Sequence, residues 1–143
     1  METKEFLNQP KKLDLLIKNK MIEKQQWRDL ALRITTNMEG ERVQSSGSKQ
    51  KMQDAIIKCV DMEAEIDRLV DLLIDKKREV VQIIEQVESP IEYDVLHRIY
   101  IQYNTLQEVA DHYGKEYGWA TTTHGRAMKS VQEIREKFVT SCD

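Results

Sequence analysis

Thr105 to Val131, TLQEVADHYGKEYGWATTTHGRAMKSV, is the stretch whose reading decides the fold. Thr105 stands three residues before Glu108, the spacing at which a threonine caps a helix and a glutamate reaches back to the cap amide. The first helix is short: Val109 and Ala110 face inward, and Gly114 supplies the left-handed position of a tight turn between helices. A second helix follows, with Ala120, Ala127, Val131, Ile134 and Phe138 recurring at helical spacings on its inner side. Tyr117, Gly118, Thr121, Thr122 and Lys129 are left on the outer side. The pattern predicts a helix-turn-helix.

Upstream, Ser89, Pro90 and Glu92 form another helix start, with proline at the first helical position and glutamate as the capping partner. The helix from Ile91 to Gln102 buries Tyr93 or Val95, with Leu96, Ile99 and Tyr100. It completes a tri-helical module over residues 90–143, an arrangement common among DNA readers.

The residues before it read as a mounting. Pro10 closes a short opening segment, and a helix after it carries Leu13, Leu16, Ile17, Met21, Trp27, Leu30, Ala31 and Ile34 on one stripe. Periodicity stops from Thr35 to Ser48, where two glycines and three serines predict a loop that turns the chain back. Arg42, Lys49 and Lys51 bring positive charge to the start of the next helix, a hint of an anion contact; the plainer reading is a solvated hairpin tip. Lys51 to Glu88 then reads as one helix about 55 Å long. Met52, Cys59, Ile66, Leu73, Val80 and Val87 fall at one heptad position, and Ala55, Met62, Leu69 and Ile83 at the other, interrupted by Lys76. The first helix covers only part of that stripe in a hairpin. The remainder, with Leu73, Val80, Ile84 and Val87, needs either a second subunit or the carboxy-terminal module, and a dimer is predicted through it.

The expected fold is therefore all-α: a long helical hairpin or coiled-coil arm over residues 1–89, with a loop at 35–48, followed by the tri-helical module. Composition agrees. Of the 143 residues 33% are charged and 6% aromatic, too much charge for a large compact core and too regular an apolar spacing for disorder. The formal charge of -3 is unevenly spread: residues 1–50 carry 10 Lys and Arg against 7 acidic residues, 51–96 carry 6 against 12, and 97–143 carry 6 against 6. Any nucleic-acid binding must then rest on a local face or on doubling of the protein.

Several function classes are excluded at this level. No apolar run approaches the roughly 20 residues of a membrane span, and the charged amino terminus does not resemble a signal peptide, so a cytoplasmic location is expected. Cys59 and Cys142 read as free thiols. His97, His112 and His124 lack metal-ligand spacing, no nucleophile motif is present, and GKEYG lacks the strand and the Gly-Lys-Ser/Thr end of a nucleotide loop. An enzyme, a bound metal and a cofactor are not expected.

The order of Thr105, Leu106, Glu108, Val109, Ala127 and Met128 resembles the T-L-x-E-V/I…A-L order of region four of housekeeping sigma factors. RVQSSGSKQKM at 42–52, the long helix after it and HGRAM at 124–128 resemble small uncharacterised proteins encoded in prophages of Gram-positive bacteria. Those are themselves similar to late-gene transcription regulators of the ArpU and RinA kind. The resemblance implies a DNA-binding transcription regulator that works as an oligomer, most simply a homodimer, in the bacterial host cell. Where sigma-like helices begin with two or three arginines, this chain has Lys115, Glu116, Tyr117 and Gly118. On this reading Tyr117, Thr121 and Thr122 read bases in double-stranded DNA, while Arg126 and Lys129 hold phosphates. Two other readings fit the pattern: an adaptor for DNA packaging like a small terminase subunit, and a protein-interaction module that docks on RNA polymerase or another protein.

Overall fold

The computed structural model describes residues 1–40 and 46–141, and every described element is a helix: α1 (Thr3–Gly40), α2 (Ser46–Ile84), α3 (Pro90–Tyr100), α4 (Leu106–Tyr113) and α5 (Tyr117–Ser141). The protein is all-α, as the periodicity predicts.

The boundaries differ from the sequence reading in three places, each for a physical reason. Helix α1 starts at Thr3 and carries Pro10 inside it rather than beginning beyond it. An interior proline forfeits one backbone hydrogen bond and costs about 3 kcal/mol; here Leu7 and Pro10 are both fully buried, and their burial offsets that cost. The helical ends around the predicted loop at 35–48 are also longer, since α1 runs to Gly40 and α2 begins at Ser46. Loss of apolar periodicity marks loss of a buried face, and a helix can continue without one. Finally, α2 ends at Ile84, and Gln86 and Val87 make tight amide bonds to the carbonyls of Ile83 and Ile84, both at 3.1 Å, before α3 starts. Ser89 caps α3 as expected, its Oγ accepting the Glu92 amide at 3.4 Å, with Pro90 in the first turn. The Glu92 carboxylate does not complete the box: it accepts from Ser130 Oγ on α5 at 3.3 Å.

Two compact units result, residues 1–12 with 73–143 and residues 13–72, so the division does not fall at Ser89. In the larger unit the core joins Leu7 of α1, Val80 and Ile84 of α2, Val87, Leu96 and Tyr100 of α3, and Ala127 and Val131 of α5. Val80, Ile84 and Val87, which the heptad assigned to an oligomer seam, are thus covered within the chain; Leu73 is half-buried. The carboxy-terminal module and the amino-terminal turns of α1 together supply the missing cover. Arg135 fastens those turns, donating to Thr3 Oγ1 at 3.2 Å and to the Met1 carbonyl at 3.1 Å, with its guanidinium 4.7 Å above the Phe6 ring. Phe138, expected inside, is 52% exposed, because the inward stripe of α5 ends at Ile134.

The smaller unit is a hairpin of the remaining parts of α1 and α2. Lys20 pairs with Glu65 at 3.1 Å and Lys24 with Glu63 at 3.7 Å across it. Cys59 is a free thiol that donates weakly to the Lys24 carbonyl, at 3.8 Å.

Candidate nucleic-acid interface

The candidate site begins with the cap of α4. Thr105 Oγ1 accepts the Glu108 amide at 3.1 Å and Glu108 Oε1 accepts the Thr105 amide at 3.4 Å, the reciprocal pair that satisfies two orphan donors of a helix start. The helix is only eight residues long. Gly114 ends it at φ 63°, a left-handed turn that a side chain would strain, and the Lys115 amide returns to the Ala110 carbonyl at 2.9 Å. Tyr117 then opens α5. The spacing of Glu108, Gly114 and Tyr117 therefore produces a helix, a tight turn and a second helix.

The faces of α5 follow from its register. Ala120, Thr123, Ala127 and Val131 recur every three or four residues and are buried, the alanines fully. Small side chains on that line let α5 sit close to α3 and α4. Tyr117, Thr121, Thr122, Arg126 and Lys129 are all exposed, so the five residues predicted to meet DNA share the outward part of one helix. Thr123, by contrast, is turned inward. The Thr121 hydroxyl is already spent as a donor, to the Gly118 carbonyl at 2.9 Å, which leaves its methyl and its acceptor lone pairs outward.

Gly118 and Gly125 were not among the predicted reader residues. Both are exposed, and a Cβ added to either meets nothing within 4 Å. Neither glycine is required by packing, although each costs the helix roughly 1 kcal/mol relative to alanine. With Thr122 and Lys129 they lie at spacings of four, three and four residues, so one line along the outward surface of α5, from Gly118 through Thr122 to Gly125, carries little side-chain bulk. The signal was present in the sequence as two glycines seven residues apart.

Two polar links brace this surface from behind. Tyr113, the last residue of α4, donates its hydroxyl hydrogen to Asp94 Oδ2 on α3, which also accepts from Arg98 Nε at 2.8 Å. Burial pushes the Asp94 carboxyl up, but the bonds from Tyr113 and Arg98 outweigh burial and hold it below its ordinary value. Burial and the same carboxylate raise Tyr113. The Tyr113 ring lies 5.1 Å from that of Trp119, fixing the start of α5 against the end of α4. The second link is Tyr100 Oη to His124 Nε2 at 2.6 Å, from α3 to the middle of α5. Burial raises Tyr100 to about 12, so at neutral pH the phenol keeps its proton. His124 itself is pushed below its ordinary value by burial and then by the charge of Lys4.

Of the predicted anion contacts, Lys49 and Lys51 are exposed on α2, and Arg42 lies outside the described residues. Because α2 begins at Ser46, Lys49 stands in its first turn and Lys51 in its second. Among the described residues no group of three or more His, Cys, Asp or Glu side chains could hold a metal ion, and no helix is long and apolar enough to cross a membrane.

The chain belongs to a family described as a protein of unknown function (DUF1492), whose model matches residues 32–131. The match takes in α2, α3, α4 and the outward surface of α5 as far as Val131. No curated protein and no solved structure matches the chain.

Proposed function

We propose that this protein is a phage-type transcription regulator that binds double-stranded DNA by laying the outward face of α5 in the major groove, with α4 crossing the backbone above it. The observation that carries the reading is the sorting of α5. Ala120, Thr123, Ala127 and Val131 go to the core, while Tyr117, Thr121, Thr122, Arg126 and Lys129 stay outside around two bare glycines. A helix with a bare line along its outer face can bring its backbone close to the groove floor there. Tyr117 and the threonine methyls then meet base edges, thymine methyls above all, and Arg126 and Lys129 reach phosphates. Neither threonine contact is bidentate, so discrimination per base lies at or below the roughly 1–3 kcal/mol of a good bidentate pair, and two half-sites are needed for useful specificity. No catalytic step belongs to this reading, and its setting is the cytoplasm of the bacterial host.

The test is selection of a preferred sequence from random duplexes by the intact chain, followed by titration of variants on it. Thr121→Ala with Thr122→Ala is expected to flatten base preference while helicity is retained. Arg126→Ala is expected to weaken every duplex alike. If the double variant keeps the full preference, α5 is not the reader.

A second reading is favoured by the charge balance of residues 97–143, with 6 Lys and Arg against 6 acidic residues. In that reading the same face docks on a protein such as RNA polymerase. Absence of any duplex binding at low salt would select it.

A further inference from the structure

Residues 1–12 belong to the same compact unit as α3, α4 and α5, although the whole hairpin separates them in sequence. They are held there by the buried Leu7 and Pro10 and by Arg135, which bonds to Thr3 and Met1 and stands over the Phe6 ring. This segment brings its own charge pattern. Lys4, Asn8 and Lys11 follow one another at four and three residues and so share one line of α1, while Glu5 falls off that line and Glu2 precedes the helix. Lys4 and Lys11 are exposed, and neither makes an ion pair among the described residues.

These first turns run beside one side of α5. At about 100° per residue, Gly118, Thr122, Gly125 and Lys129 form the outermost line of that helix; Arg126 falls to one side of it, and Tyr117, Thr121, His124 and Arg135 fall to the other. Arg135 is the residue that holds the start of α1, so the segment lies on the His124 side. Lys4 agrees with that placement twice. It lines one open groove with Gln132, Arg135 and Glu136, and its charge, after burial, helps to hold His124 below its ordinary value. On this side α5 has no free cation of its own, since Arg135 is spent on Thr3 and Met1 and the others are uncharged at neutral pH.

A major groove about 12 Å wide closes around a helix about 10–12 Å across, so a helix lying in it meets a phosphate backbone on each side. Arg126, with Lys129, answers one of them. We propose that Lys4 and Lys11, on the first turns of α1, hold phosphates of the other strand, so that the groove is spanned by cations from both α1 and α5. The inference rests on the reading of α5 as the groove helix and adds to it a second set of contacts. Such contacts fix orientation and carry no base preference of their own.

The experiment titrates the duplex selected from random sequences, over a range of salt, with the full chain and three variants, helicity being followed by circular dichroism. Lys4→Gln with Lys11→Gln is expected to keep the parent's helicity and base preference, to bind every duplex about tenfold more weakly at about 0.1 M salt, and to make the log–log slope shallower by about two. Lys4→Arg with Lys11→Arg is expected to keep the parental slope. Methylphosphonates, which remove single phosphate charges, locate the contacts. Within one half-site, the phosphates that cease to matter in the glutamine pair are expected on the strand opposite to those that cease to matter in Arg126→Ala. An unchanged slope or lost helicity in the glutamine pair, a shallower slope in the arginine pair, or both sets of phosphates on one strand would each overturn the proposal while the reading of α5 stands. A parent chain that binds no duplex would overturn both.

Discussion

Tyr100 on α3 and His124 on α5 are joined by a 2.6 Å hydrogen bond, so the helix that carries the candidate reading surface is held from behind by a titratable group. Met128 Sδ also accepts from the Tyr100 hydroxyl, at 3.5 Å. Protonation of His124 would place a charge in a half-buried site near Lys4.

The consequence is an acid-sensitive fold. His124 has a folded value below that of the unfolded chain, so the neutral ring favours the folded state. This stabilisation is complete above the ordinary histidine range near pH 6.5 and is lost as pH falls through the folded value. Urea unfolding between pH 7.5 and 5 is expected to show declining stability, and His124→Gln to show a smaller decline over the same interval. Equal declines in both proteins would remove His124 as the cause.

The bare face of α5 separates stability from binding. Gly118→Ala and Gly125→Ala each replace a helical glycine whose Cβ meets nothing, so each variant is expected to gain about 0.5–1 kcal/mol. Duplex affinity is expected to fall on the order of tenfold, equivalent to about 1.4 kcal/mol. Variants that are both more stable and equally good binders would show that no close backbone approach occurs at these positions.

Val80 and Ile84 are 0% exposed in the core of the larger unit, and glutamates there would be buried without partners. Val80→Glu with Ile84→Glu is therefore expected to abolish cooperative unfolding of that unit, at a cost above about 5 kcal/mol. A well-folded protein carrying both changes would contradict the packing of α2 against Leu7 and Val131.

Salt dependence measures how much of the binding is phosphate contact. With Arg126, Lys129 and a few neighbours within reach of the backbone, roughly 3–5 contacts per protomer are expected, and a log–log slope near -3 to -5. A slope steeper than about -8 per protomer would point to a basic surface elsewhere, with Lys49 and Lys51 the first positions to neutralise.

What could be read from the sequence was local in origin. The Thr105–Glu108 box, the left-handed Gly114 and the inward line Ala120, Ala127, Val131 depend on neighbours a few residues away, and all are present. The placement of Thr121 and Thr122 outside followed from that line. Pairings across the chain were not legible. The heptad correctly marks Val80 and Ile84 as positions needing cover, but periodicity cannot say which element supplies it, and Leu7 stands too far from them in sequence for any spacing to connect them. Pro10 drew the start of α1 too late for the same reason, since its cost is local and its offset is not. The Tyr113–Asp94 and Tyr100–His124 links were likewise hidden, because a polar side chain reveals its partner only once helices are packed.

Leu7 has one more implication, for synthesis rather than for the finished molecule. The segment that carries it leaves the ribosome before every other part of the unit it completes, and long before Val131, which lies in the same core. Until α5 emerges, the apolar face of the first turns has nothing native to bury against and must be shielded by transient contacts or by a chaperone. Closing a loop of this span is also slow compared with forming any single helix. The larger unit is accordingly expected to fold only after α5 has emerged, while α1 and α2 can already have formed their hairpin.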